Sequence, residues 1–199
     1  MRIIGLTGGI ACGKSTVAKI LSGFGVRICD ADVLAKAAVR SGSDGLQAVV
    51  KAFGASFLAP DGELDRAKLG SLVFSNPKAK SKLERIVHPL VRRSTEEQLA
   101  AWRKAGAEAA VVMAPLLLEA GMENLVDEVW VVVAPLEAQL DRLSGRNGLP
   151  KEAALARIAS QWPQEEKRRR ADLVIANDGS PEDLVRKVTD IWSAWRNVP

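Results

Sequence analysis

Gly8-Gly9-Ile10-Ala11-Cys12-Gly13-Lys14-Ser15, followed by Thr16, is the stretch whose residue types and spacing announce chemistry. It fits G-x-x-x-x-G-K-[ST], a loop whose backbone N–H groups curl around phosphate oxygens. In such a loop the lysine neutralises the β- and γ-phosphates and the hydroxyl after it ligates Mg²⁺; here these are Lys14 and Ser15. The residues expected around the phosphates of a nucleoside triphosphate are therefore Gly9, Ile10, Ala11, Cys12, Gly13, Lys14, Ser15 and Thr16.

Such a loop works only between a strand and a helix, and both are legible. Arg2-Ile3-Ile4-Gly5-Leu6-Thr7 reads as a short apolar strand. Val17, Ile20, Leu21 and Phe24 then recur at i, i+3, i+4, i+7, one face of a helix whose N-terminus adds positive potential beneath a phosphate. A chance glycine-rich turn would have neither flank.

The remaining elements alternate in the same way. Gly25-Val26-Arg27-Ile28-Cys29-Asp30, Ala109 to Ala114, Asp127 to Val133 and Leu173 to Ala176 read as further strands. With the first they predict an α/β P-loop NTPase fold, a five-stranded, parallel, doubly wound sheet. Ligands of such sheets bind beyond the carboxyl ends of the strands, where Asp30-Ala31-Asp32 falls. Asp30 reads as the cap of the next helix and Asp32 as a base or Mg²⁺-linked carboxylate. Residues 41–106 read as helices broken by loops, with His88-Pro89 interrupting one of them. His88, the chain's single histidine, is open to a structural or a functional reading. Strand 109–114 ends without the aspartate that often holds Mg²⁺, so Ser15, phosphates and water, with Asp32, are the expected shell.

Between Arg142 and Arg170 stand eight cations and three carboxylates, although the whole chain is only four charges positive. Arg142 and Arg146, one helical turn apart, suit a lid over a triphosphate, with a solvated helix or RNA-binding patch as the alternative. Lys167-Arg168-Arg169-Arg170 reads as a solvated face. The small net surplus does not by itself argue for nucleic acid. No apolar run approaches a membrane span, and the first strand occupies the place of a signal peptide. Cys12 and Cys29 form no disulfide framework, so a cytoplasmic protein is expected. At Cys12 the loop needs only a small side chain; the alternative reading is a thiol whose pKa is lowered by the nearby helix N-terminus.

With these landmarks in place, the sequence resembles the dephospho-coenzyme A kinase family from Ile3 to about Ser180. The resemblance rests on Leu6-Thr7-Gly8-Gly9-Ile10 leading into the loop, Asp30-Ala31-Asp32 and Ile86-Val87-His88-Pro89. It continues in Pro115-Leu116-Leu117-Leu118-Glu119, Arg157-Ile158-Ala159-Ser160-Gln161, and Ala171-Asp172-Leu173-Val174-Ile175 with Asn177-Asp178-Gly179. The resemblance implies transfer of the ATP γ-phosphoryl group to the ribose 3′-hydroxyl of dephospho-CoA, the final step of CoA synthesis. It implies a nucleotide-binding core (1–30, 107–137, 171–199), a helical CoA-binding insertion (about 31–106) and a lid (about 138–170). By position, Asp32 is the base, and Lys14 and Arg142 stabilise the transferring group. His88 and the Leu116, Leu117, Glu119 turn face the acceptor, and Asn177 contacts adenine. Mg²⁺ is the cofactor; ATP and dephospho-CoA are the partners, with no nucleic acid or membrane and a monomer or trimer left open. Two departures stand out. Ala11-Cys12 replaces the usual Gly-Ser, which demands a backbone angle open to a residue with a Cβ, and Met113 stands where many members carry an acid. The competing readings are another P-loop small-molecule kinase and a nucleotide-dependent RNA-binding module.

Overall fold

The computed structural model describes residues 1–197, with the side chains of Arg146 and Asn147 outside the description. The strands are β1 (Arg2–Gly8), β2 (Arg27–Asp30), β3 (Ala109–Met113), β4 (Glu128–Val133) and β5 (Leu173–Ala176). The helices are α1 (Lys14–Gly23), α2 (Ala31–Ala38), α3 (Asp44–Phe53), α4 (Arg66–Ser75), α5 (Pro77–Lys104), α6 (Leu136–Asn147), α7 (Lys151–Ala159), α8 (Gln164–Arg168) and α9 (Pro181–Arg196). The chain divides into two compact units, one of Met1–Cys29 with Leu99–Pro199, the other of Asp30–Gln98.

The first unit is built on the five-stranded parallel sheet expected from the apolar runs, in the order β2-β3-β1-β4-β5. β1 lies centrally, pairing Leu6 with Met113 of β3 and with Trp130 of β4. Ile4, Leu6, Val111, Trp130 and Val132 are fully buried, as continuous β-branched and aliphatic runs require when both faces of a sheet are covered. Val17 and Leu21 of α1 and Leu184, Val188 and Trp192 of α9 complete that core. Two aspartates lock the register. Asp127 accepts from the Ile3 N–H at 2.7 Å, and Asp172 accepts from the Val129 N–H at 2.7 Å. Trp192 and Trp195 stack at 4.8 Å, and the Arg2 guanidinium lies 3.9 Å from the Trp195 ring centre, so these aromatics are packing residues.

The second unit is helical around Val39, Leu46, Val49, Leu64 and Leu69. One expectation fails here. His88-Pro89 does not interrupt its helix, because α5 runs through Pro89 without a break. An interior proline removes one hydrogen bond and costs about 3 kcal/mol. Leu83, Ile86 and Val87, partly buried in the turns just before it, pack on the helical core, and three side chains each gaining a part of the about 1.5–3 kcal/mol of full burial together offset that loss.

Candidate active site

β1 delivers the chain to the phosphate loop and α1 carries it away. Gly8 has φ 147°, and a Cβ there would overlap the Val132 carbonyl oxygen. Gly13 has φ 101°, and a Cβ there would overlap the Asn177 amide. Both positions therefore demand glycine. Ala11 also lies in the left-handed region, at φ 59°, the single such non-glycine residue among those described. The expectation of an angle comfortable for a Cβ is thus corrected, and Ala11 stores about 1–2 kcal/mol of strain. α1 begins without a side-chain cap or an acid in its first turn, leaving its N–H groups and dipole for an anion. Lys14 folds over the loop, its Nζ donating to the Gly8 and Gly9 carbonyls at 3.0 and 2.9 Å. Ser15 and Thr16 are exposed at the helix start.

Side chains remote in sequence hold this loop. Arg142 of α6 donates to the Ala11 carbonyl at 3.1 Å. Asn177, buried just beyond β5, donates to the Cys12 carbonyl at 2.8 Å while its own N–H donates to Val133. The Ile10 N–H donates to Oε1 of Gln161 at 2.8 Å. Gln164 spans Ala134, accepting from its N–H and donating to its carbonyl at 3.0 Å each, and accepts from the Cys12 thiol at 3.5 Å. Arg142 and Asn177, singled out in the sequence, meet the loop's backbone; the two glutamines that also hold the loop were not singled out, although Gln161 closes a motif that carried the resemblance. The side chain of Arg146 lies outside the described residues. The Cys12 thiol does not follow the reading of a lowered pKa. Burial pushes its pKa up, outweighing the opposing pull of Lys14 and Arg142.

The turn after β3 is fastened from beneath. Thr7 donates to the Pro115 carbonyl at 3.3 Å, and Lys167 donates to the same oxygen at 2.7 Å. Lys167 also pairs with Glu119 at 2.8 Å and is completely buried, so one cation of the run read as a solvated face is internal. Glu119 Oε1 accepts a further bond from the Trp162 N–H at 3.2 Å, and its Oε2 is buried without a hydrogen-bond partner. Leu117 is buried, with its methyls 3.0–3.3 Å from where a Gly5 Cβ would sit, whereas Leu116 is half-buried. Met113, half-buried, offers a thioether at the end of β3.

In the helical unit Asp30 caps α2, accepting from the N–H groups of Asp32 and Val33 at 2.9 and 3.3 Å. Asp32 is exposed in the first turn of α2. It lines a cavity of about 330 Å³ together with Lys36, Arg66, Leu69, Gly70 and Val87. Arg66 donates to the Lys36 carbonyl at 3.0 Å, so its guanidinium is fixed at the cavity wall. His88 is half-buried in α5 beside Val87. Among the described residues no group of three or more His, Cys, Asp or Glu side chains forms a metal cluster. No helix among them is long and apolar enough to cross a membrane.

Residues 2–183 match the dephospho-CoA kinase family. A Geobacter sulfurreducens dephospho-CoA kinase is 48% identical over 97% of this chain and 98% of its own length. Among solved structures, TT1252 from Thermus thermophilus superposes with a TM-score of 0.81 at 40% identity, covering 97% of each chain. A dephospho-CoA kinase from Campylobacter jejuni gives a TM-score of 0.72 at 34% identity, covering 97% of this chain and 96% of that one.

Proposed function

From the premise that this chain belongs to the dephospho-CoA kinase family, we infer how its residues divide the work. The chain is an ATP-dependent kinase that moves the γ-phosphoryl group of ATP to the 3′-hydroxyl of dephospho-CoA, giving ADP and CoA. The β- and γ-phosphates occupy the loop from Gly9 to Thr16. Lys14, Arg142 and Arg146 neutralise the charge that spreads over the transferring group, and Asn177 lies toward the adenine. The observation that carries this reading is the uncapped start of α1 with Lys14 folded over the Gly8 and Gly9 carbonyls. Donors already in place lose no energy to reorganisation when the transition state forms.

On the acceptor side, the apolar wall of Leu69 and Val87 suits the aliphatic arm of dephospho-CoA, and Lys36 and Arg66 suit its diphosphate. Asp32, on the same cavity, takes the proton of the 3′-hydroxyl as that oxygen attacks γ-phosphorus and the bond to the β–γ bridging oxygen breaks. His88, Leu116 and Leu117 belong to the acceptor side. Residues about 31–106 then act as the CoA-binding insertion and about 138–170 as the lid over the core.

The donor set fits Mg²⁺ as a partner that arrives largely with the nucleotide. Ser15 supplies an exposed oxygen, Asp32 a carboxylate, and the Met113 thioether is no ligand for so hard an ion. Mg²⁺ bound there would withdraw charge from the β- and γ-phosphate oxygens. The cytoplasm is the compartment in which ATP and both CoA species would meet it. Nucleic acid is no partner in this reading, and the assembly is a monomer or a trimer.

The test is ADP release with Mg·ATP and, in turn, dephospho-CoA, AMP or adenosine. Stimulation by dephospho-CoA alone is expected. Stimulation by AMP or adenosine instead would move the acceptor assignment, and no stimulation by any acceptor would favour a binding module.

A further inference from the structure

Lys167 is a lysine with no solvent exposure, and its partner Glu119 keeps one oxygen buried and unpartnered. Burying two charges is rarely worth its desolvation for stability alone, and an apolar pair of similar volume often does as well. What this pair does is fasten a segment. Its Glu119 accepts from the Trp162 N–H, its Lys167 donates to Pro115, and Thr7, at the entrance to the phosphate loop, donates to the same Pro115 oxygen. Gln161, directly before Trp162, reaches back to the Ile10 N–H in that loop at 2.8 Å. The contacts close a ring: loop, Gln161, Trp162, Glu119, Lys167, Pro115, Thr7 and loop again. The Arg170 guanidinium lies 4.8 Å from the Trp162 ring centre and covers its outer side.

We propose that Glu119 and Lys167 are positioning residues for phosphoryl transfer, acting through Gln161 to hold the Ile10 edge of the phosphate loop in place. The inference rests on the kinase reading for its kinetic consequences, and on the ring alone for its structural ones. Glu119 then acts on the nucleotide side of the reaction, although its turn was expected to face the acceptor. Gln161 accepts an N–H that would otherwise swing with the loop; a loop edge displaced by a fraction of an ångström misaligns the in-line attack without abolishing ATP binding.

Two variants test this. Gln161→Leu removes only the acceptor for Ile10 and replaces a half-buried side chain, so folding is retained. The double variant Glu119→Leu with Lys167→Met removes both buried charges together and avoids stranding either. Both are expected to raise amide hydrogen exchange at Ile10 by roughly tenfold. Both are expected to lower kcat about tenfold or more, with KM for dephospho-CoA within about twofold of wild type. Gln161→Glu, which restores an acceptor but adds a negative charge beside the phosphates, is expected to restore Ile10 protection while weakening ATP binding. Unchanged exchange and kcat in Gln161→Leu would overturn the proposal. So would a raised KM for dephospho-CoA in the double variant with Ile10 still protected, since that pattern belongs to direct acceptor contact. If wild type shows no turnover stimulated by dephospho-CoA, the kinase reading falls, and exchange at Ile10 still decides the ring.

Discussion

The two units prepare their ligands by different means. In the nucleotide unit the proposed binding groups are backbone atoms of the loop, and Arg142, Gln161 and Asn177 brace that loop from positions far along the chain. In the helical unit the candidate binding surface is a cavity of about 330 Å³ with an apolar wall and charged side chains, Asp32, Lys36 and Arg66, around it. A backbone cradle needs particular angles and tolerates little substitution, whereas a cavity needs volume and a few charges and admits many sequences. The first leaves a motif that announces its chemistry by itself; of the second, Asp32 and Val87 fall in short motifs, whereas Lys36, Arg66, Leu69 and Gly70 carry none.

The largest expected effect sharpens the contrast between units. Asp32→Asn should lower kcat by roughly 10²–10⁴, the contribution of a general base, while ATP affinity stays within a few-fold. Near-normal turnover in steady-state assays would end its role as base. Next comes Lys167→Met alone, which strands the Glu119 carboxylate among buried atoms. It should destabilise the protein by about 3–5 kcal/mol, and denaturant titration showing a loss below 1 kcal/mol, the range of an exposed pair, would refute the internal pair. Gly70→Leu addresses the cavity. A Cβ at Gly70 meets no atom within 4 Å, and the larger side chain should raise KM for dephospho-CoA about tenfold, leaving KM for ATP unchanged. Equal effects on both substrates would dissolve the distinction between the two surfaces. The smallest change is Ala11→Gly. Relief of the left-handed alanine should offset the added chain entropy and stabilise by up to about 1 kcal/mol, read as a small rise in Tm; a fall would show that φ 59° is not strained.

Much of the nucleotide unit was legible because its signals are local. Apolar runs marked all five strands, the glycine spacing marked the loop, and Asp30 read correctly as a cap because capping involves only the next few residues. The readings that the structure overturned share a cause. Pro89 carries a breaker's local preference, yet Leu83, Ile86 and Val87 are held by side chains from elsewhere in the unit. Cys12 sits at a helix start that favours the thiolate, but complete burial reverses the shift. Lys167 stands in a run of cations that looks solvated, and its partner Glu119 lies 48 positions earlier.

By itself, then, the sequence determined the parallel α/β sheet, the phosphate loop and the family, since periodicity, glycine positions and short motifs are properties of neighbours in the chain. The tertiary structure alone decided which cation is internal, which thiol stays protonated, what angle Ala11 adopts, and that Gln161 meets Ile10. Each of these depends on desolvation or on a hydrogen bond between groups far apart in the chain. Such energies exist only once folding has excluded water and brought the partners together.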